Sequence, residues 1–410
     1  MKAVSAVFLV LLACLSNAVS QENYQQWNSF KYLSINTTPS GVYIANNVMK
    51  FPLLIRLTSA NADVFSSALG NGADVRFSKS NGIAPLSYQI ERWDSAGKVA
   101  EIWVLMDTIY GNQSTQSIRM YWGKKGAADS SNGAVVFDTS NGFVGVWHLA
   151  ENGNAAAQGY KDATLYHHHG TGIAMNNGSN VAGRIGMGSN FNGSDQYISV
   201  PNSDALNINR SITVSAWFFA NEWTSGNHRI LQKGNADNQY SLRLEGGQFE
   251  WQLSGTNGSP VLLISPPNAG GWHLVHATYD FINATTAIYV NGALLSSQNN
   301  YGTIGTGTIT DILSIGGKPR TVASGDYFTG IMDEVRLQNK PRYPDWIRLE
   351  YETQNSPATV VTLGSTQTTT GIIQKTFLAS HRLLGDKSAT LSLIDIRGRV
   401  LKFFSTFRRL

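Results

Sequence analysis

The sequence contains one cysteine, Cys14, in 410 residues. That excludes a disulfide-stapled scaffold and a cysteine-ligated zinc or iron–sulfur centre. Charge is scarce: Asp, Glu, Lys and Arg together make up 14% of the chain, well under the roughly 25% of ordinary soluble domains. No segment after residue 20 approaches the ~18 consecutive apolar residues of a membrane-spanning helix. Helical periodicity is nearly missing too, and only Pro344 to Tyr351 (PDWIRLEY) reads as a short helix. What the chain does hold is glycine, at 40 positions, and aromatics, with 10 Trp, 16 Tyr and 17 Phe. Such aromatic content excludes a disordered chain, and the length suits about two or three domains.

The formal charge of +4 is unevenly spread. Residues 364–410 hold eight basic residues, from Lys375 to Arg409, against Asp386 and Asp395. The body of the chain is therefore slightly acidic, which argues against a nucleic-acid-binding face.

Residues 1–20 have the form of a secretory signal. Lys2 supplies the positive start, Val4 to Leu15 an apolar stretch too short to span a bilayer, and Ala18-Val19-Ser20 the small residues of a cleavage site after Ser20. Leu11-Leu12-Ala13-Cys14 also resembles a bacterial lipobox, which would make a lipidated Cys14 the mature N-terminus. The weak positive start and the cleavage site downstream favour ordinary secretion.

Past the signal, short segments alternate with a period of two between Gly-, Asn- and Ser-rich turns, the pattern of a β-sandwich. In the first unit the segments are FPLLIRL (51–57), GADVRFSKSNG (72–82), LSYQIERWD (86–94), AEIWVLMDTI (100–109) and SIRMYWG (117–123). Their order resembles domain of unknown function 2341 over about residues 24–123. The resemblance implies a secreted or surface bacterial protein and a jelly roll to follow, without implying any chemistry.

The second unit contains GFVGVWHLAENG (142–153), FNGSDQYISVPNSDALNINRSITVSAWFFA (191–220), GGWHLVHATYDF (270–281), TAIYVNGALL (286–295) and YFTGIMDEVRLQNK (327–340). Asn291-Gly292 is a strong signal for a type I′ hairpin turn, whose two central residues both need positive φ. Apolar residues on both parities of Ile212 to Phe219 predict a strand covered on both faces. This series resembles the laminin-G-like, concanavalin A-like jelly roll over about residues 135–355. The expected fold class is therefore all-β: two β-sandwich domains, the second a concanavalin A-like jelly roll, plus a small C-terminal β-hairpin segment. The expected division is a signal at 1–20, a first sandwich at 21–126, the jelly roll at 135–355, a Thr/Ser-rich linker at 356–373, and the C-terminal segment at 374–410. In the last of these, Asp395, Gly398, Arg399 and Val400 resemble the sorting hairpin of the type IX secretion route, which implies export from a Gram-negative bacterium. A plain hairpin packed on the sandwich is the alternative.

Few residues suggest chemistry. His167-His168-His169 would alternate faces on a strand and could not all ligate one ion, so a polar loop is favoured. Asp162 and Asp333 are the candidate metal ligands: Asp333 shares the parity of Ile331 and Val335, which aims a carboxylate at the apolar side where it needs a partner. Calcium, which accepts carboxylate and loop carbonyl oxygens, is the expected ion, and the jelly-roll resemblance implies a calcium site near the rim. For catalysis the tight carboxylate pairs are Asp333/Glu334 and Glu350/Glu352. The first is set aside because strand neighbours face opposite sides. No Gly-x-Ser-x-Gly elbow or phosphate-binding glycine loop occurs. Trp223, His228, Tyr240, Tyr301 and Tyr327 fall in or beside loops and strand ends, where they would stack on or hydrogen-bond a ligand. Together these features suggest an exported binding protein of the bacterial surface, recognising an extracellular glycan or another surface protein after passing the export machinery. A structural scaffold without a discrete ligand and a polysaccharide-degrading enzyme are the alternatives.

Overall fold

The fold is taken from a computed structural model, which describes residues 22–153, 156–220, 227–234, 239–257, 261–265, 268–305, 311–318, 326–369, 392–394 and 400–402. The signal segment with Cys14, as well as Trp223 and the sorting residues Asp395, Gly398 and Arg399, lies outside the described residues.

Of the five antiparallel sheets among the described residues, four follow from the period-two segments of the two units. In the first unit a six-stranded sheet centres on Ser29–Ile35 and Gln116–Trp122, and a three-stranded sheet runs Val48–Leu57, Val99–Ile109, Tyr88–Asp94. In the second unit an eight-stranded sheet has Thr329–Gln338, Ile212–Phe219 and Trp272–Asp280 at its centre. A seven-stranded sheet runs from Val261–Ile264 to Thr171–Ile173. The Asn291-Gly292 turn closes the hairpin between Thr285–Val290 and Ala293–Asn299 with φ of 51° and 78°, as a type I′ turn requires.

Ile212–Phe219 is covered on both faces, as its composition predicts. Ile212, Val214, Ala216 and Phe218 join the core between the two jelly-roll sheets. Trp217, on the opposite parity, packs into the core of the first unit together with Leu274, Ala287 and Tyr289. The three-stranded sheet supplies the other side of that contact. Leu53, Leu54 and Ile55 are consecutive and all buried, so this sheet also has two covered faces. The core of the first unit thus extends onto the outer face of the jelly-roll sheet and is shared by both units, beside the separate core inside the jelly roll.

The helix at the sequence-predicted position runs Pro344–Asn355, with Pro at its first turn and Asp345 beside it, both favoured at a helix start. Its buried face, which includes Trp346, Ile347 and Leu349, fills the seam between the units. Of residues 356–373, expected as a linker, the described residues 356–369 join the first unit. Pro357–Val360 is a helical turn, and Val361–Leu363 and Gln367–Thr368 both pair with Ser29–Ile35. Threonine and valine here satisfy an open sheet edge, a use that a composition reading does not reveal. The C-terminal strands Ser392–Ile394 and Val400–Lys402 pair antiparallel, as the strand–turn–strand pattern predicts.

One residue breaks the parity of the closing strand. Ser215 pairs with Arg336 but Trp217 with Asp333, so three steps on one strand face two on the other. Glu334 takes up the extra residue in the left-handed region at φ 51°, the mark of a β-bulge. Met332 and Val335 therefore both enter the jelly-roll core. Asp333 does not share the face of Val335, as parity had suggested, and adjacency does not separate it from Glu334. Burial above all, and then both carboxylates, raise the cost of ionising Glu91 of the first unit.

Candidate ligand groove above a buried polar interface

The bulge creates a polar island inside the apolar seam. The Arg336 guanidinium is 1% exposed and donates to Glu334 Oε2 (2.6 Å) and Glu350 Oε1 (3.0 Å). It also lies over the Trp103 ring, 4.5 Å from the centroid. Glu350 further accepts from Trp346 Nε1 (3.0 Å) and faces His276 Nε2 at 3.2 Å. Burial opposes its ionisation, but Arg336 and His276 outweigh that and hold Glu350 down at about 2. On the first unit, Glu101 takes a two-pronged bond from Arg92 (2.7 and 2.8 Å), and Trp103 Nε1 donates to Glu91 Oε2 (2.6 Å).

At the rim of this seam is a groove of about 620 Å³ lined by both units. Asn46, Asn47, Val48 and Met49 contribute from the first, and Asn141 with Lys340 to Trp346 from the linking turn and the helix start. Its polar wall is fixed. Asp345 accepts from Asn46 N–H and Nδ2 (both 2.8 Å), and Asn141 Nδ2 donates to Lys50 O (2.8 Å). Arg342 stacks 3.7 Å from the Trp346 ring centroid and donates to Asn141 O (2.8 Å). Above this wall stand Tyr343, 59% exposed, and Met49, 58% exposed. A fixed polar wall beside exposed apolar side chains suits a ligand with one apolar and one hydroxyl-rich face. Sequence reading missed this groove because its residues come from three separate stretches, none with a motif.

A second polar cluster, largely buried, lies on the outer face of the seven-stranded sheet. Leu242 and Leu244 point into the core, so Ser241, Arg243 and Glu245 point out. Arg243 donates to Gln252 Oε1 (2.8 Å) and Glu245 Oε2 (2.6 Å) and also bonds Glu250, while Arg229 donates to Asp326 Oδ2 (2.8 Å) and Ser241 (3.0 Å). Burial, reinforced by the hydrogen bond to Glu245, pushes the Glu250 carboxyl up to about 7, and the same hydrogen bond holds Glu245 below the usual range. This pair was invisible at sequence level because it forms diagonally across the hairpin, next to the rung joining Arg243 to Glu250. Because Glu250 holds its proton to higher pH in the folded chain than in the unfolded one, stability falls as pH rises from 4.5 to 7. Glu250→Gln is expected to flatten urea-denaturation stability across that window; an unchanged slope would contradict the assignment.

The five residues expected to contact ligand do not form one patch. Trp223 lies outside the described residues. Tyr240, placed by sequence at a ligand-facing strand end, is instead a core residue: it is fully buried and its hydroxyl donates to Leu206 O (2.8 Å), because its parity matches Leu242. His228 is buried with its ring edge-on to Phe328, 6.2 Å between centroids. Tyr327 is nearly buried, 6.2 Å from Tyr197. Tyr301 is 60% exposed.

Asp162 and Asp333 are both buried, with no hydrogen bond joining them among the described residues. Asp162 accepts from Val146 N (2.9 Å), Thr164 N (2.9 Å), Thr164 Oγ1 (2.8 Å) and His168 N (2.8 Å). Asp333 Oδ2 accepts from Ile185 N (2.7 Å). The three histidines go separate ways: His167 turns at φ 53°, His168 bonds Val144 O and Ser203, and His169 Nδ1 accepts from Asp162 N.

Two family models match parts of the chain. Residues 192–348 match the concanavalin A-like lectin/glucanases superfamily, so the second unit is a jelly roll of that class. Residues 71–150 match the domain of unknown function DUF2341, in the order the sequence implied. No curated protein matches the chain. Among solved structures it is similar to the receptor binding domain of botulinum neurotoxin mosaic serotype C/D, at 14% identity, 52% of this chain, 51% of that chain and a TM-score of 0.39. It is also similar to the binding domain of Paraclostridial Mosquitocidal Protein 1, at 13% identity, 52% of each chain and a TM-score of 0.40. The chain spans about half the length of these solved chains.

Proposed function

We propose that this is an exported bacterial surface or secreted protein that binds an extracellular glycan, with the groove between the two sandwiches as its ligand site. The observation that carries this reading is the exposed Tyr343 ring standing over a wall of anchored amides and charges. A pyranose has an apolar face that stacks on an aromatic ring and a hydroxyl rim that bonds amides and carboxylates, and the groove offers both. The superfamily of the second unit, which includes lectins by name, agrees with a binding role. The signal segment and the C-terminal hairpin support export, with the type IX route as the proposed path. A surface protein as ligand is the second reading, favoured by exposed Met49, since methionine adapts to irregular protein surfaces.

The test is a glycan array probed with the full chain, followed by titration of the best ligand. Tyr343→Ala is expected to weaken that ligand about tenfold, the loss of ~1.4 kcal/mol that an aromatic contact can supply. A blank array with retained binding to a surface protein would move the conclusion to the second reading.

A further inference from the structure

Three electron-pair donors from both units converge in the buried seam. Glu91 of Tyr88–Asp94, His148 just after Phe143–Trp147, and Glu334 at the bulge each place one ligand atom within 4.8 Å of the other two. Their side chains are 2%, 11% and 1% exposed. His148 Nε2 lies 3.3 Å from Gln89 Oε1, an acceptor, so that nitrogen carries the hydrogen. The other ring nitrogen, Nδ1, faces two carboxylates, at 3.5 Å from Glu91 and in close contact with Glu334. Two buried carboxylates around one imidazole need positive charge among them, which a proton on Nδ1 or a metal ion in its place supplies. A second observation points the same way. Glu91 Oε1 is buried and has no hydrogen-bond partner among the described residues, so half of this carboxylate is unsatisfied.

We propose that Glu91, His148 and Glu334 form a binding site for a divalent transition-metal ion of the zinc type, which clamps the two sandwiches together. Imidazole with two carboxylates suits such an ion, whereas calcium and magnesium take oxygen ligands. A tetrahedral ion with bonds of about 2.1 Å sets its ligand atoms about 3.4 Å apart. The Glu91–His148 separation of 3.5 Å already meets that spacing, and binding requires the closer His148–Glu334 pair to separate by about 1 Å. The surrounding groups keep the ligands aimed. Gln89 fixes the imidazole, Trp103 Nε1 orients Glu91 through the same Oε2 that faces His148, and Arg336 holds Glu334 Oε2, leaving Glu334 Oε1 for the ion. The left-handed bulge at Glu334 acquires a purpose here: in a regular strand Glu334 would point into the jelly-roll core. With one ligand from the first unit and two from the second, the site exists only when the units are docked.

The test uses the full chain stripped with a chelator and titrated with zinc chloride alone, reading calorimetry, metal content and melting temperature. One zinc per chain, a raised melting temperature and no competition from calcium chloride are expected. Glu91→Gln, nearly the same shape, should weaken zinc by more than about a hundredfold, beyond the loss from removing a group that merely orients a ligand. The double change His167→Ala and His169→Ala should leave zinc binding intact. Absence of zinc uptake by the unmodified chain would overturn the proposal, as would loss through the His167/His169 pair but not through Glu91. If circular dichroism shows Glu91→Gln to be unfolded, His148→Gln is read in its place. Cobalt bound to the unmodified chain then supplies a measurement independent of any variant: an intense tetrahedral visible spectrum supports the site and a weak octahedral one contradicts it.

Discussion

Arg336→Met is expected to remove about 3–5 kcal/mol of unfolding free energy, the range for breaking a buried ion pair from one side. Arg336 is the shared cation of Glu334 and Glu350, and methionine leaves both carboxylates buried without it. Urea denaturation at pH 7 measures the loss. The same variant should change the acid response. Glu350 is held at about 2 by Arg336 and His276, below its ordinary 4.5, so its stabilising contribution is complete above pH 4.5 and is lost as pH falls toward 2. With the guanidinium gone, the Glu350 carboxyl rises, and stability is expected to depend less steeply on pH below 4.5. Adding Glu350→Gln to Arg336→Met should recover part of the loss, because one unpaired charge is removed with its partner. A loss under 1 kcal/mol would show that the cluster is not paired as described.

The second large effect concerns cooperativity. Trp217 belongs to the jelly-roll sheet but is buried in the core of the first unit, bonds Gln354 through Nε1, and lies under Arg184 at 5.1 Å from its ring centroid. Trp217→Ala removes a fully buried indole and leaves Gln354 without that donor, a cost of about 3–5 kcal/mol. Because that indole sits in the shared core, the unmodified chain is expected to unfold in one calorimetric transition and the variant in two. Two transitions in the unmodified chain would mean that the seam is too weak to couple the units.

How much of this was legible in the sequence depends on the range of the interaction involved. Turns are local, so Asn291-Gly292 announced its hairpin, and the two apolar parities of Ile212 to Phe219 announced a strand with two covered faces. What covered the second face was not legible, since the contact between Trp217 and the first unit joins residues far apart in the chain. The bulge at Glu334 was hidden for a different reason. A single inserted residue reverses every parity after it, and nothing in Met-Asp-Glu-Val signals the insertion. That one step misplaced Asp333 relative to Val335 and caused the Asp333/Glu334 pair to be set aside as facing opposite sides. Tyr240 was misread because a strand end and a core position look alike until the register is known. The groove and the Glu245/Glu250 pair depend on juxtapositions across turns and units, which composition and spacing do not encode.

The most direct test of the binding site is a parallel titration of the best array glycan against the unmodified chain, Tyr343→Ala and Trp223→Ala. The groove between the sandwiches predicts affinity lost about tenfold in Tyr343→Ala and unchanged in Trp223→Ala. Affinity retained in Tyr343→Ala and lost in Trp223→Ala would contradict it and place recognition on the jelly roll alone.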